Sequence, residues 1–200
     1  VPSSLTMLRG HEFTTVFDGT SYTFISLDNT TISPSGTTFI FKDLDIYQGQ
    51  LSTDIYRFSS QVANQRFPLL NADVDTSTIK INVTSNNIVT NWSLAGDLTG
   101  IKSTSEVFYL QENDDGLFEI YFGDNIIGKQ PKDSDLISIS YLVTDADHAN
   151  GASIFSMATS VNGNSDVTFT NTVSASGGKD IETPDQIKFL ASKFYTSQNR

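Results

Sequence analysis

The feature that most constrains the fold is a pair of alternating segments between Phe118 and Val143. Apolar and polar residues alternate over 118–122, and the same period returns over 137–143. Successive side chains of a β-strand point to opposite faces, so each segment predicts a strand with one apolar face. Gly123 and Gly128 lie between the segments, where the backbone turns or admits a close neighbour. This block predicts a β scaffold and contains no catalytic grouping.

The composition agrees with that prediction. The chain has 200 residues, enough for one or two domains, and 14 Phe and 7 Tyr supply material for a core. Ser, Thr and Asn are abundant, which suits strands with one solvated face, and helix-forming residues are scarce until the C-terminal end. We therefore predict a mainly β protein. Its fold class is two tandem antiparallel β-rich domains, sandwich-like, followed by a C-terminal amphipathic α-helix.

Turn signals divide the chain further. Asp18-Gly19 and Asp115-Gly116 each lie between two alternating segments, and Asp-Gly readily supplies the positive φ values of a tight hairpin turn. The polar stretch Ser85-Asn86-Asn87 is the best candidate for a boundary between domains. These signals predict an N-terminal β domain over residues 1–85, a second β domain over 86–182, and a helical segment over 183–200.

The last segment carries a clear helix signature. Residues 183–186, Thr-Pro-Asp-Gln, combine a capping hydroxyl, a proline at the first helical position and an acid in the first turn. Ile187, Leu190 and Phe194 follow at helical spacing and form one apolar stripe. Such a stripe must pack on something, so either it caps the preceding β domain or it contacts another chain. For the second alternative, these three residues are the candidate subunit contact.

Charge and composition exclude several classes of partner. The net charge of −11 repels phosphate backbones and anionic membranes, so we expect no nucleic acid and no membrane as partner. No apolar run approaches the ~20 residues that span a bilayer, and no signal peptide is visible. With no cysteine, thiol catalysis and disulfides are excluded. The chain starts without Met and stops inside the helical pattern, which predicts a fragment of a longer protein.

Two weak signals of chemistry lie close together. His148 is near acids and Ser153, but a hydrolytic triad needs a fold that orients these groups, and no Gly-x-Ser-x-Gly turn is present. Asp145, Asp147 and Asn150 resemble an oxygen-rich calcium loop, yet the EF-hand spacing is wrong, and a turn bonded to its own backbone explains them as well. We therefore expect no catalytic residue, no cofactor, no metal and no small-molecule substrate.

A further signal is the order of several short stretches along nearly the whole chain. They are residues 122–131 (FGDNIIGKQP), 139–141 (ISY), 149–152 (ANGA), 9–15 (RGHEFTT), 18–24 (DGTSYTF), 46–49 (IYQG), 64–67 (NQRF), 75–80 (DTSTIK) and 192–200 (SKFYTSQNR). Taken in chain order, they resemble the baseplate wedge subunits of T-even-type contractile-tailed bacteriophages, which belong to the baseplate J-like family.

The resemblance implies a structural virion protein of the tail baseplate, assembled in the host cytoplasm, with no enzymatic activity. It implies partners as well: the chain itself, as a homodimer, and other baseplate wedge proteins, joined in a ring around the central hub. An alternative of a different class is a receptor- or glycan-binding β module of a tail fibre or adhesin. Tyrosines and Trp92 on exposed loops are the anchors that this alternative expects.

Overall fold

The computed structural model describes residues 2–96, 100–163, 170, 173–180, 186, 188 and 189. The described residues form thirteen strands, which confirms the mainly β class. In chain order they are β1 Leu5–Met7, β2 Glu12–Phe17, β3 Thr20–Ser26, β4 Thr30–Ile32, β5 Ile46–Gln48, β6 Gln50–Arg57, β7 Phe67–Pro68, β8 Val74–Ser85, β9 Ile88–Leu94, β10 Val107–Glu112, β11 Phe118–Phe122, β12 Leu136–Val143 and β13 Ser156–Met157.

One part of the fold, the base unit, consists of residues 2–49 and the described residues after 143. It contains a sheet of four strands in the order β13-β2-β3-β5 and a small pair, β1 with β4. The hairpin predicted at Asp18-Gly19 is confirmed: it joins β2 to β3, and the two turn residues have φ of 49° and 78°. Ser156 of β13 pairs with Thr14 of β2, 142 positions earlier in the chain.

The other part, the inserted unit, consists of the described residues within 50–143. Its strands form one sheet in the order β6-β12-β8-β9-β10-β11-β7. The hairpin predicted at Asp115-Gly116 is confirmed, because it joins β10 to β11. Neighbouring strands run antiparallel, except that β9 and β10 are parallel. That pair departs from the antiparallel prediction, since a longer connection rather than a hairpin links its strands.

The sheet of the inserted unit curls until its two edge strands, β6 and β7, nearly meet. The Tyr56 hydroxyl of β6 donates to the carbonyl of Pro68 in β7. The Leu70 N–H donates to the Asp54 carboxylate at 3.4 Å, and the Gln65 amide donates to the Arg57 carbonyl at 3.2 Å. Side chains rather than a strand ladder therefore bridge the two edges, which makes the sheet nearly barrel-like.

Each unit has its own buried cluster of apolar side chains. In the inserted unit, Ile139 and Tyr141 of β12 have no exposed surface, as the alternation predicts, and Trp92 packs edge-on against Phe122. The members of this cluster are Phe58, Phe67, Leu69, Ile81, Val83, Trp92, Phe108, Ile120, Ile137, Ile139 and Tyr141. The base cluster combines both ends of the described chain: Leu5, Met7, Phe13, Phe24, Ala149, Ala152, Phe155 and Val161.

The chain connects the two units in a nested order. It leaves the base unit at Gly49, forms the inserted unit, and returns after Val143, which pairs with Gln50. Residues 85 and 86, where the sequence predicts a domain boundary, lie at the turn between β8 and β9, and the two strands on either side of this turn are paired. The two-domain division stays a prediction, whereas the sheets and the cores follow the nested order.

The predicted C-terminal helix falls mainly outside the described residues. Ile187, Leu190 and Phe194 are among the residues that the structure does not describe. Gln186, Lys188 and Phe189, the described positions of this segment, have helical backbone conformation. Within the described part of the chain, no helix has the length and apolar character needed to cross a membrane.

Candidate functional site

A groove with a volume of about 310 Å³ lies at one end of the inserted unit. We call it the mouth groove. The loop after β6 forms one wall, and the loop after β11 forms the other. Side chains of β10 and β11 lie between them. The loops are placed here because their parent strands lie near opposite edges of the curled sheet.

Three side chains stack along the groove. Tyr109 of β10 lies directly opposite Tyr121 of β11 in the ladder, and their ring centroids are 4.9 Å apart in a nearly parallel stack. The guanidinium carbon of Arg66 lies 3.9 Å from the Tyr121 ring centroid, the geometry of a cation–π contact. Arg66 Nε also lies 3.9 Å from the Glu119 carboxylate. The guanidinium therefore lies between an aromatic ring and a carboxylate, both of which favour its position.

The loop after β11 is shaped by an aspartate and two glycines. Oδ1 of Asp124 accepts the N–H groups of Ile126 and Ile127 at 2.9 and 3.0 Å. These backbone hydrogen bonds lower the pKa of Asp124, so its carboxylate is charged at neutral pH. A Cβ at Gly123 would collide with the backbone of Gly128, so the close approach of the loop ends requires glycine there.

The geometry of this loop directs apolar side chains into solvent. Ile126 is 75% exposed, and Ile127, which lines the groove, is 50% exposed. Val62, on the opposite wall, is 51% exposed. β-branched side chains exposed around a concavity are a feature of contact surfaces rather than of reaction centres. The arrangement presents apolar surface beside a fixed carboxylate.

The stripe predicted as the subunit contact cannot be placed in this geometry. Ile187, Leu190 and Phe194 lie outside the described residues, so their role stays a prediction. The mouth groove was not predicted from the sequence. The register of the β10–β11 hairpin could have shown that Tyr109 faces Tyr121, but no local signal brings Arg66 to them.

The weak chemical signals form a turn at the surface of the base unit. The His148 side chain is exposed, and the backbone N–H of His148 donates to the backbone carbonyl of Asp145 at 3.2 Å. The Asp145 carboxylate accepts the Gln48 side-chain amide at 2.7 Å. Asn150 is bonded through both ends of its amide to the Gly178 backbone. In the part of the chain that the structure describes, no three His, Asp or Glu residues are grouped to hold a metal ion.

The glycan-binding alternative expects Trp92 on an exposed loop, but the structure does not place it there. It lies on β9, opposite Ile81, and only 4% of its surface is exposed. Its indole N–H donates to the Thr90 hydroxyl at 3.0 Å. The tryptophan therefore belongs to the core, and the alternative loses its largest proposed anchor.

Comparison with known proteins finds a likeness in the inserted unit. Residues 54–143 match the family described as bacteriophage baseplate wedge protein gp6, third domain. A curated relative, the baseplate wedge protein gp6 of Enterobacteria phage T4, is 27% identical over an alignment that includes 98% of this chain. The alignment includes 33% of that relative, so the chain spans about a third of its length.

The resemblance to phage baseplate wedge subunits is confirmed. It supports a structural role in the baseplate and a location in the virion tail. The family match ends at Val143, the last residue of the inserted unit, and begins inside β6. The mouth groove therefore lies within the matched segment, whereas most of the base unit lies outside it.

Proposed function

We propose that this chain is part of a structural wedge protein that contacts neighbouring wedge proteins and contributes to the ring around the hub of a contractile tail. The observation that carries the proposal is the family match over the inserted unit. The chain acts mechanically, as a positioned surface, and catalyses no reaction. It is assembled into the baseplate in the host cytoplasm.

The described surface supports a contact role. Exposed apolar side chains surround the mouth groove, and each is worth ~1.5 to 3 kcal/mol when a partner buries it completely. Other wedge proteins are the partners that we propose for this surface, since an acidic chain favours a partner of complementary charge. A second copy of the chain is proposed as a partner through the apolar stripe of the C-terminal segment, where charge is not the attraction.

The proposed function is tested by infecting host cells with a phage in which the complete gene is inactivated. We expect cell extracts without baseplates, and supplying the complete protein from a plasmid should restore them. Mass spectrometry of purified baseplates should then detect peptides from this chain. Normal tails in the absence of the protein, or purified baseplates without its peptides, would contradict the proposal.

Self-association is proposed to use the apolar stripe Ile187, Leu190 and Phe194. Leu190→Asp places a charge in the middle of the stripe, and burying an unpaired charge is costly. We expect the complete Leu190→Asp protein to lose self-association in a pull-down of two differently tagged copies. Lys188→Asp is the matched control, because Lys188 lies outside the stripe. If Leu190→Asp leaves the pull-down intact, the stripe is not the interface.

A further inference from the structure

The mouth groove has the shape to receive one side chain of a partner. Its volume of about 310 Å³ exceeds that of any single side chain, and Phe58 and Phe122 provide apolar lining. Val62 lines the wall formed by the loop after β6, Ile127 lines the wall formed by the loop after β11, and each is about half exposed. A side chain inserted between the two walls would remove this apolar surface from water, which is the main favourable term in protein association.

The charge beside the groove is acidic. Asp124 uses Oδ1 to hold its own loop, and its Oδ2 accepts no hydrogen bond from the described residues. Arg66, the cation among the lining residues, lies over Tyr121 and 3.9 Å from the Glu119 carboxylate, so one carboxylate offsets it and the charge of Asp124 is left over. Residues 50–143 contain twelve Asp and Glu against six Lys and Arg. Both the local and the wider field favour a cation.

We infer that the mouth groove docks an extended segment of a neighbouring baseplate protein, one that carries a cationic side chain next to an apolar one. The apolar side chain enters between Val62 and Ile127, and the cation pairs with Asp124. A second copy of this chain fits less well, because its net charge of −11 opposes close approach. The inference rests on the proposed baseplate role and names the chemistry of the partner.

Site-specific crosslinking in assembled baseplates tests the docking. Residues 1–200 contain no cysteine, so Val62→Cys places the only thiol of this region at the groove, and any cysteine elsewhere in the complete protein is replaced by Ser in all variants. A maleimide crosslinker with a photoreactive end is attached to the complete protein before assembly. Ile88→Cys, on the exposed β8–β9 hairpin, is the matched control. We expect Val62→Cys to crosslink to a segment of another protein in which Lys or Arg lies next to an apolar residue. The crosslink yield should be about tenfold higher than that of the control, which corresponds to a site favoured by 1.4 kcal/mol.

The charge is tested by a variant that keeps the loop. Asp124→Asn retains the oxygen that accepts the two backbone N–H groups but removes the charge. We expect the crosslink yield from Val62→Cys to fall about two- to fivefold, as for an exposed ion pair. Asp114→Asn, in the exposed turn between β10 and β11, removes the same charge elsewhere and should leave the yield unchanged.

Several results would overturn the docking. They are a link only to another copy of the chain, a link to an acidic segment, or no link above the control in baseplates that contain the protein. An equal yield from Asp124→Asn would remove the cation from the proposal. Mass spectrometry of the same particles separates the two levels: if the chain is missing from them, the baseplate role fails, and the docking fails with it.

Discussion

The two units of this protein are stabilised in different ways. The inserted unit contains long strands, among them the twelve residues of β8, and its core lies within one continuous stretch of chain. The base unit has shorter strands, and its core joins residues from both ends of the described chain. Contacts close in sequence therefore build much of the inserted unit, whereas the base unit depends on the return of the chain after residue 143.

The family match coincides with this difference. The inserted unit is a continuous stretch with a core of its own, and the match spans residues 54–143. The base unit is split by the insertion, so neither of its parts contains a complete core. We therefore expect a destabilising substitution in one core to lower the stability of its own unit more than that of the other unit.

The largest expected effect comes from deleting a core aromatic of the base unit. Phe13 is 1% exposed, and Phe13→Ala should destabilise the base unit by about 3–5 kcal/mol. The single tryptophan, Trp92, lies in the inserted unit, so its fluorescence reports unfolding there. In the variant, we expect circular dichroism to show part of the unfolding at a lower denaturant concentration than in the original protein. The midpoint measured by Trp92 fluorescence should stay unchanged.

Ile139→Ala is the matched variant in the inserted unit, where Ile139 has no exposed surface. It should cost about 2–5 kcal/mol and lower the fluorescence midpoint of Trp92 directly. If Phe13→Ala lowers the same midpoint by a comparable amount, the two units unfold together. The contrast between two separately stabilised regions would then be wrong.

A smaller effect is expected from the buried hydroxyl of Tyr141. This hydroxyl donates to the Asp54 carboxylate at 2.6 Å and accepts the Asn71 amide at 2.9 Å, which ties the core to the bridge between β6 and β7. Tyr141→Phe removes the hydroxyl, so the Asp54 carboxylate and the Asn71 amide each lose a hydrogen bond, at a cost of about 1–3 kcal/mol in stability. The free energy of unfolding, measured with Trp92 fluorescence, should fall by this amount. Tyr22→Phe, in the base unit, should leave it unchanged.

The smallest effect is expected from the ion pair between the two units. Lys80 of β8 lies 2.8 Å from Asp28 of the base unit, and both side chains are largely solvated. The hydrogen bond from Lys80 is the main cause of the lowered pKa of Asp28. For an exposed pair, we expect a contribution of ~0.2 to 1 kcal/mol to the free energy of unfolding. Because the pKa of Asp28 is lower in the folded protein, this contribution is present above the unfolded pKa of about 3.9 and is lost as the pH falls through the folded pKa.

Asp28→Asn should accordingly reduce the free energy of unfolding slightly at pH ~7 and in low salt, and less in ~1 M salt, which screens exposed charges. At a pH below both pKa values, the variant and the original protein should have equal stability. A difference that persists in strong acid would mean that Asp28 acts through packing or neutral hydrogen bonds rather than through its charge.

Local signals in the sequence predicted local structure. Asp18-Gly19 and Asp115-Gly116 form hairpin turns because the positive φ that they require depends on a few adjacent residues. Trp92 was misplaced because its burial depends on its partner Ile81 across the β8–β9 ladder rather than on its neighbours in sequence.

Longer-range features had no such signal. The pairing of Thr14 with Ser156 depends on the insertion between them. The mouth groove was missed for the same reason, since Arg66 reaches Tyr121 only through the curl of the whole sheet.

The pairing of Gln50 with Val143 has a mechanical consequence. Just outside it, the Gln48 side chain and Asp145 are joined by two hydrogen bonds, which close the same neck of the chain. We expect tension along the backbone from the base unit to load these bonds and the Gln50–Val143 rung first, and then to separate β6 from β12 one rung at a time. Few bonds resist together in such peeling, so this neck is the expected point of mechanical weakness.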